Sequence, residues 1–312
     1  MDFIKSRYIS VFFAILVVLL AGTYFLNIYT SPKKPLIYGN SNSYYTIIDE
    51  DGNVLMETAL EIHVDDEFID EKNRHYIVTK VENKTAYAVI KNKPSAFNID
   101  SLIPTTSLFV PKEVLNPKLN TRHVAIYHTH NDESYVLTSG KSAKPGNGDI
   151  VKVGEALKEC LKKSSITVTH SLNNHGPHDI NAYHRSRRTA TELVKKGPDI
   201  LIDIHRDGAP FKSYWTSING IEVARVMIVI GRSNPNMQTN LAFAKKVKAA
   251  ADEIHPGLMR GIFIGKGDYN QDLYPTAILV EVGTDSMSLS MAEKGAYCLG
   301  DALIKVLQES DS

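Results

Sequence analysis

From residue 122 to the carboxyl end, short and almost continuously apolar segments alternate with longer segments of helical periodicity. The apolar segments have the length of buried strands, roughly four to eight residues. Strands that are apolar on both sides occur in parallel or mixed sheets whose two faces are covered by helices. We therefore predict an α/β domain over residues 122–312, with a mixed, mostly parallel sheet covered by helices. The predicted strands are residues 124–127, 166–169, 199–204, 223–230 and 277–280, and the predicted helices are residues 151–163, 185–196, 237–254 and 288–308.

The residues before this domain carry a different pattern. Short alternating segments separated by turn residues predict a small all-β module over residues 44–95, in the form of a partly open barrel. Residues 31–43 contain proline and little apolar pattern, and we interpret them as a linker. Residues 96–121 are interrupted by proline and asparagine and are interpreted as a connecting segment.

The amino terminus contains the longest apolar run of the chain. Residues 8–32 include no charged side chain. Because about 20 apolar residues in a helix cross the hydrocarbon core of a bilayer, we predict a transmembrane anchor over residues 1–30. A single span here would place the remainder of the chain outside the cell membrane, on the wall side. The alternative is a cleaved signal peptide, although the apolar core of such peptides is usually shorter.

The composition excludes several classes of function. Lys plus Arg and Asp plus Glu each number 35, so the chain has no excess positive charge and we predict no nucleic-acid partner. Cys160 and Cys298 are the only two cysteines, which excludes a disulfide scaffold and a cysteine-based metal cluster. Any metal ion must therefore be held by histidine and carboxylate groups.

Polar side chains follow three of the predicted strands at their carboxyl ends. His130 and Glu133 follow the first strand, and His205 follows the third. Glu281 follows the last. Ligands of open α/β sheets bind at this edge, so we expect these side chains to converge. Two imidazoles and a carboxylate are a catalytic zinc ligand set, and a further carboxylate can act as the general base. We therefore predict that His130, Glu133 and His205 bind Zn²⁺ and that Glu281 is the base.

Other histidines offer alternatives. His128 is separated from His130 by one residue and competes with it as a ligand; we favour His130 because it stands at the turn with Glu133. His178 forms a His-x-x-His pair with His175 and is followed by Asp179. These residues lie in a loop rich in Asn and Gly, so we interpret His178 and Asp179 as substrate-binding or supporting groups.

Further candidates surround the predicted centre. Arg206 could stabilise a developing oxyanion or bind a carboxylate of the substrate, and its alternative role is a salt bridge with the neighbouring Asp207. Asn270, Gln271 and Asp272 could donate or accept hydrogen bonds to substrate amide or sugar groups, and they could equally cap a turn.

Several motifs, in the same order along the chain, resemble the stage II sporulation protein P family. The resemblance covers about residue 106 to the carboxyl end, and the order of anchor and outer domain agrees with it. The motifs are residues 127–135 (YHTHNDESY), 178–179 with Tyr183, Ser186 and Arg187, 203–207 (DIHRD), 234–236 with Asn240, 269–273 (YNQDL) and 279–283 (LVEVG).

This resemblance implies a zinc amidase-like fold and a membrane-anchored, zinc-dependent peptidoglycan hydrolase related to N-acetylmuramoyl-L-alanine amidases. The implied enzyme cuts the amide between the glycan lactyl group and the stem peptide, and an endopeptidase activity on cross-links is also attributed to it. It acts during engulfment in sporulation, with stage II sporulation proteins D and M as partners. The resemblance carries the ligand role to His130, Glu133 and His205 and the base role to Glu281. Because related amidases take their Glu ligand from a later helix, Asp149 and Glu155 are alternatives to Glu133.

Two other functions fit the same residues. A zinc carboxypeptidase acting on short peptides would also use two histidines and two carboxylates, with Arg206 or Arg187 binding the terminal carboxylate. A non-catalytic, wall-binding membrane scaffold is the alternative outside enzymes, and the presence of all four predicted site residues argues against it.

Overall fold

The computed structural model describes residues 44–92, 122–179 and 181–309. The predicted transmembrane anchor, the linker 31–43 and the connecting segment 96–121 lie outside these ranges. Among the described residues, none of the helices has both the length and the apolarity needed to cross a bilayer.

Strands and helices follow one another largely as the sequence pattern predicts. The strands are β1 (Tyr45–Ile48), β2 (Val54–Thr58), β3 (Glu67–Asp70), β4 (His75–Glu82), β5 (Thr85–Asn92), β6 (His123–Tyr127), β7 (Thr167–His170), β8 (Ile200–Asp207), β9 (Trp215–Ile218), β10 (Ile221–Ala224), β11 (Val226–Gly231), β12 (Met259–Gly265) and β13 (Ala277–Thr284). The helices are α1 (Val136–Ser139), α2 (Ile150–Lys163), α3 (Ala182–Val194), α4 (Phe211–Tyr214), α5 (Met237–Ile254) and α6 (Leu289–Glu309), with a 3-10 turn at Gln271–Leu273.

Within the described ranges, eleven strands form one sheet in the order β2-β1-β5-β4-β3-β12-β11-β13-β8-β6-β7. In the part from β12 to β7, β11 pairs with β13 in antiparallel orientation, and every other neighbouring pair is parallel. The prediction of a mixed, mostly parallel sheet is therefore confirmed. Its register places His205 of β8 beside Glu281 of β13, and Tyr127 of β6 beside Asp203 of β8.

Helices cover both faces of this sheet, as predicted. Alternate residues of β8 point to opposite faces, so Ile202 belongs to the large apolar core that also contains buried residues of α2, α5 and α6. Leu201 belongs to a smaller cluster with Ala190 and Leu193 of α3. Asp203 and His205 continue the alternation of Leu201, which places them on the α3 face.

The amino-terminal strands extend the sheet of the α/β domain. Strand β3 pairs in antiparallel orientation with β12, with Ile69 opposite Ile262. Strand β12 was not predicted, because Arg260 and Gly261 interrupt its apolar pattern. All of its residues are buried, and pairing on both edges satisfies its backbone polar groups.

The predicted strand 223–230 is divided in two. Strand β10 ends at Ala224 and β11 begins at Val226, because Arg225 leaves the ladder and donates its backbone N–H to the carbonyl oxygen of Tyr214. The hairpin of β9 and β10 is consequently a separate two-stranded sheet.

Gly295 lies where helix α6 touches this hairpin. A Cβ atom at this position would stand 2.3 Å from the backbone oxygen of Ala224, which a side-chain rotation cannot relieve. We expect Gly295→Ala to lower the free energy of unfolding by about 1–3 kcal/mol, as overpacked cores do. Urea unfolding of the variant, beside Ser290→Ala on the exposed face of the same helix, measures the change. An increase in the free energy of unfolding of about 1 kcal/mol, which Gly to Ala ordinarily gives in a helix, would contradict this packing.

Candidate metal centre

Three side chains meet at the carboxyl edge of two neighbouring parallel strands. His130 and Glu133 lie in the loop after β6, and His205 lies near the end of β8. One ligand atom from each lies within 4.8 Å of the other two. The structure thus brings together the three residues that the sequence predicts as ligands.

The spacing of these atoms fits a zinc ion. Glu133 Oε1 lies 3.5 Å from His130 Nδ1 and 3.6 Å from His205 Nδ1. Zinc–nitrogen and zinc–oxygen bonds of about 2.0–2.2 Å in tetrahedral geometry separate two ligand atoms by about 3.3–3.5 Å. The two imidazole rings stand at 85° with centroids 5.0 Å apart, so their edges converge without stacking. Two histidines and one carboxylate also leave a fourth position for water or substrate.

Glu133 is held by the strand that carries His205. The backbone N–H of Arg206 donates to Glu133 Oε2 at 2.9 Å, which leaves Oε1 directed at the two histidines. Burial raises the pKa of Glu133, but the charges of His205 and Arg206 outweigh it, so the pKa lies well below its ordinary value. Glu133 is therefore ionised, as a metal ligand must be.

His205 is oriented by a carboxylate on its other side. His205 Nε2 lies 3.0 Å from Asp203 Oδ1, which leaves Nδ1 for the metal ion. Asp203 also accepts the backbone N–H of Thr129 at 2.8 Å and its hydroxyl at 2.5 Å. Burial lowers the pKa of His205, but Asp203 and Glu133 raise it more, to well above its ordinary value. Carboxylates that bind the far nitrogen of a metal-binding histidine fix its orientation.

Sequence reasoning assigned no role to Asp203. The sequence did indicate a role for Asp203, because it is the charged residue within the otherwise apolar run 200–204. A charge inside a buried strand requires a partner, and here the partners are His205 and Thr129.

Glu281 stands beside this centre on the adjacent strand. It is 4% exposed, and its Oε2 atom has no hydrogen-bond partner among the described residues. Burial, followed by the charge of Asp207, raises the pKa of Glu281 well above its ordinary value. Glu281 is therefore a carboxyl group with high proton affinity and a free oxygen, beside His205.

His128 lies apart from the three ligands. Its Nδ1–H donates to the carbonyl oxygen of Ile204 at 2.9 Å, and its Nε2 lies 2.8 Å from His170 Nε2. Burial, followed by the charge of His170, lowers the pKa of His128 to about 3. Of the two competing histidines, the structure thus places His130 with Glu133 and His205, and packs His128 against Gly154 of α2.

The two alternatives to Glu133 lie outside the centre. Asp149 accepts a hydrogen bond from the hydroxyl of Ser139 and lies 3.4 Å from Lys152 Nζ. Glu155 lies 2.8 Å from Lys158 Nζ and faces His170.

Arg206 and Asp207 both make contacts within the protein, and they do not pair with each other in this structure. The guanidinium of Arg206 donates to the carbonyl oxygens of Ser134 at 3.4 Å and Ser142 at 2.8 Å, so it fixes the loop that carries Glu133. Asp207 accepts the hydroxyl of Tyr214 at 2.9 Å and backbone N–H groups instead of pairing with Arg206. Both are positioning groups in this structure.

The predicted substrate contacts of residues 270–272 and Arg187 are also largely internal. Arg187 forms a bidentate pair with Asp272, with nitrogen–oxygen distances of 2.8 and 2.6 Å. The Nδ2 amide of Asn270 donates to the Tyr183 carbonyl oxygen at 3.1 Å. The side chain of Gln271 bonds the backbone of β11 at both ends. These contacts tie α3 and the 3-10 turn to the sheet. The side-chain groups that form them are therefore already hydrogen-bonded within the protein.

The loop before α3 covers the exposed side of the centre. The ring of His178 stacks on His130 with centroids 4.0 Å apart, and its Nδ1 lies 2.9 Å from Asp132 Oδ1. Asp179 pairs with Arg185 at 2.7 Å. His178 thus packs against the candidate ligand His130, whereas Asp179 connects the loop to Arg185 of α3.

A cleft of about 710 Å³ opens at His130. The ring of Tyr183 lines it and lies nearly parallel to His205, with centroids 6.2 Å apart. One of the three candidate ligands, His130, therefore borders a cleft that is open to a ligand. The cleft is lined by Ala59, Leu60, Glu61, His63, His130, His178, Asp179, Tyr183, His184, Arg187, Lys266, Gly267, Asp268, Tyr269, Asn270 and Asp272.

Comparison with known families identifies the family of this chain. The profile of the family described as stage II sporulation protein P matches residues 36–304, which is most of the chain. The chain belongs to the stage II sporulation protein P family. Stage II sporulation protein P of Bacillus subtilis (strain 168) is 28% identical over 220 residues, or 64% of this chain. The chain spans about half the length of that relative, since the match covers 54% of it.

Solved structures with a similar arrangement include two amidases. The N-acetylmuramyl-L-alanine amidase Ami1 of Mycobacterium smegmatis aligns with a TM-score of 0.44 and 14% identity, over 60% of this chain and 97% of that one. The N-acetylmuramoyl-L-alanine amidase of Clostridium difficile 630 aligns with a TM-score of 0.39 and 18% identity, over 62% and 98%.

Removing either of the competing histidines should separate their roles. We expect His130→Ala to lose bound zinc, because it removes one of three ligand atoms. His128→Ala should keep zinc and lower the free energy of unfolding by about 1–3 kcal/mol, since it leaves buried polar partners unsatisfied. Zinc per chain by elemental analysis and urea unfolding test both expectations. Zinc retained in His130→Ala but lost from His128→Ala would reverse the assignment.

Asp203→Asn tests the support of His205. We expect zinc affinity to fall by about 10–100-fold, as is typical when the group behind a metal-binding histidine is changed. Competition with a chromophoric chelator measures the affinity, and His205→Ala should fall further. An unchanged affinity would show that Asp203 does not orient the ligand.

Proposed function

We propose that this chain is a zinc-dependent peptidoglycan hydrolase that cleaves the N-acetylmuramoyl-L-alanine amide during sporulation engulfment. The observation that carries the proposal is the convergence of His130, Glu133 and His205 beside the cleft that His130 lines, with Glu281 on the adjacent strand. Membership of the stage II sporulation protein P family supports the biological setting. Cleavage of stem-peptide cross-links is a second reaction that the same groups would support.

The chemistry divides between the ion and the protein. Zinc, when bound, polarises an amide carbonyl and makes water acidic enough to attack it near neutral pH. His130, Glu133 and His205 would hold the ion, with Asp203 orienting His205. The carboxylate of Glu281 would take the proton of the attacking water at its free Oε2 atom and return it to the nitrogen of the leaving amine. Its high proton affinity suits this exchange.

The setting of the reaction is part of the proposal. We place the chain in the cell membrane through a single amino-terminal span, with the catalytic domain on the wall side. Peptidoglycan is the substrate, and stage II sporulation proteins D and M are the expected partners. The neutral formal charge of the chain gives no support for a nucleic-acid partner.

The contacts of two arginines argue against the carboxypeptidase alternative. That reaction needs an arginine free to bind a terminal carboxylate. Arg206 is engaged by the carbonyl oxygens of Ser134 and Ser142, and Arg187 by both oxygens of Asp272. The site gives no support to the non-catalytic scaffold either. Wall binding alone does not require three converging ligand groups beside a buried carboxyl group.

Two substitutions separate metal binding from turnover. We expect His205→Ala to lose both zinc and activity, because it removes a ligand. Glu281→Gln should keep zinc and lose turnover by about 100-fold or more, since it removes only the base. Mass spectrometry of products from purified peptidoglycan, with and without chelator, measures the reaction, and intact stem peptides mark the amidase.

Other outcomes would change the assignment. Release of single terminal residues would identify a carboxypeptidase. Full wall lysis by metal-free protein would refute the zinc mechanism. Loss of zinc in Glu281→Gln, as complete as in His205→Ala, would make Glu281 a ligand.

A further inference from the structure

We propose that the loop 59–63 of the amino-terminal module is one wall of the substrate cleft, and that Glu61 and Lys266 bind opposite charges of a stem peptide. This inference rests on the proposed function and deepens it. Ala59, Leu60, Glu61 and His63 line the same cleft as His130. The module is therefore a part of the binding site as well as an extension of the sheet.

The wall is fixed at its first residue to the strand that carries a metal ligand. The backbone N–H of Ala59 donates to Asp207 Oδ1 at 2.7 Å. Asp207 is two residues after His205 on β8, and its other oxygen accepts the hydroxyl of Tyr214 at 2.9 Å. A Cβ atom on Gly208 would lie 2.9 Å from that of Ala59, so the backbones are closely packed here.

A second attachment holds the other end of the wall. Arg232, which follows β11, donates to Asp66 Oδ1 at 3.0 Å and to the carbonyl oxygen of Val64 at 3.1 Å. Asp66 in turn accepts the backbone N–H of His63 at 2.7 Å. Because Asp66 is fully buried, its own two contacts are partly shielded from water, and they hold the wall in place.

Three of the six charged residues that line the cleft are already paired. Arg187 pairs with Asp272, and Asp179 pairs with Arg185. Three charged side chains remain exposed to the cleft: Glu61, Lys266 and Asp268.

These exposed groups define the chemistry of the ligand. The Glu61 side chain is 72% exposed, and its ion-pair contact is His63 Nε2 at 3.6 Å. Asp268 is occupied in part by the backbone N–H of Asn270. Lys266 makes no ion pair with any described residue. A cleft that offers carboxylate on the module side and an ammonium group on the sheet side fits a peptide with both a free amine and a free carboxylate. Stem peptides have this chemistry.

Binding to an inactive variant tests this without turnover. The full chain carrying Glu281→Gln is titrated by calorimetry with a synthetic muramoyl peptide that has a free side-chain amine and a free carboxylate. Two further ligands have the amine acetylated or the carboxylate amidated. We expect Glu61→Gln to weaken binding of the unmodified peptide about two- to fivefold and to leave the acetylated peptide unaffected, because exposed ion pairs have this strength. Lys266→Gln should weaken binding of the unmodified peptide by a similar factor and leave binding of the amidated peptide unaffected.

Matched controls and outcomes complete the experiment. Glu50→Gln, in a turn of the same module, and Lys196→Gln, after α3, remove the same charges at exposed positions away from the cleft and should change nothing. Equal affinities in Glu61→Gln, Lys266→Gln and the controls would overturn the inference even if the wild type hydrolyses peptidoglycan. Charge-selective binding without hydrolysis by the wild type would support the wall and refute the amidase. No binding of any muramoyl peptide would refute both.

Discussion

His205 lies between two buried carboxylates, and the rest of the site depends on how the charges of these three groups are balanced. Asp203 is 3.0 Å from one ring nitrogen and Glu133 is 3.6 Å from the other. The positive charges that face these carboxylates within the protein are those of His205 and Arg206, and a buried charge without such a partner is costly. A cation held by Glu133, His130 and His205 would replace the charge of His205 and leave its ring neutral beside Asp203. Metal binding and the protonation of His205 would therefore be coupled.

The sequence was sufficient to predict the centre because strand order brings it together. His130 and Glu133 follow β6, His205 ends β8, and these two strands are parallel neighbours. An apolar run that stops at polar residues indicates a strand and the position of its carboxyl end. The fold class and the candidate ligands could therefore be predicted from local sequence pattern. Asp203 was visible in the same way, as a charge inside an apolar run, but no spacing rule assigned it to His205.

The features that could not be predicted depend on contacts between distant segments. Arg187 is paired by Asp272, 85 residues away, and Arg206 is bound by Ser142, 64 residues away. Both arginines resemble substrate ligands in sequence, and only the tertiary structure shows that their donors are engaged. Strand β12 was missed for a related reason: Arg260 and Gly261 break its pattern, and its identity depends on pairing with β3 and β11.

Strand β8 also connects the candidate metal centre to the wall formed by loop 59–63. It carries Asp203, His205 and Asp207 at alternate positions, where successive side chains are about 7 Å apart along a strand. Asp203 orients a ligand, His205 is that ligand, and Asp207 holds the backbone of Ala59. Beyond Asp203, β8 pairs with β13, so the distance between the candidate ligand His205 and Ala59 depends on this part of β8. Sites built on strands hold their geometry better than sites built on loops. Under the proposed function, a wall attached to the strand that carries His205 would lie at a defined distance from the scissile amide, as selection of a peptide beside that amide requires.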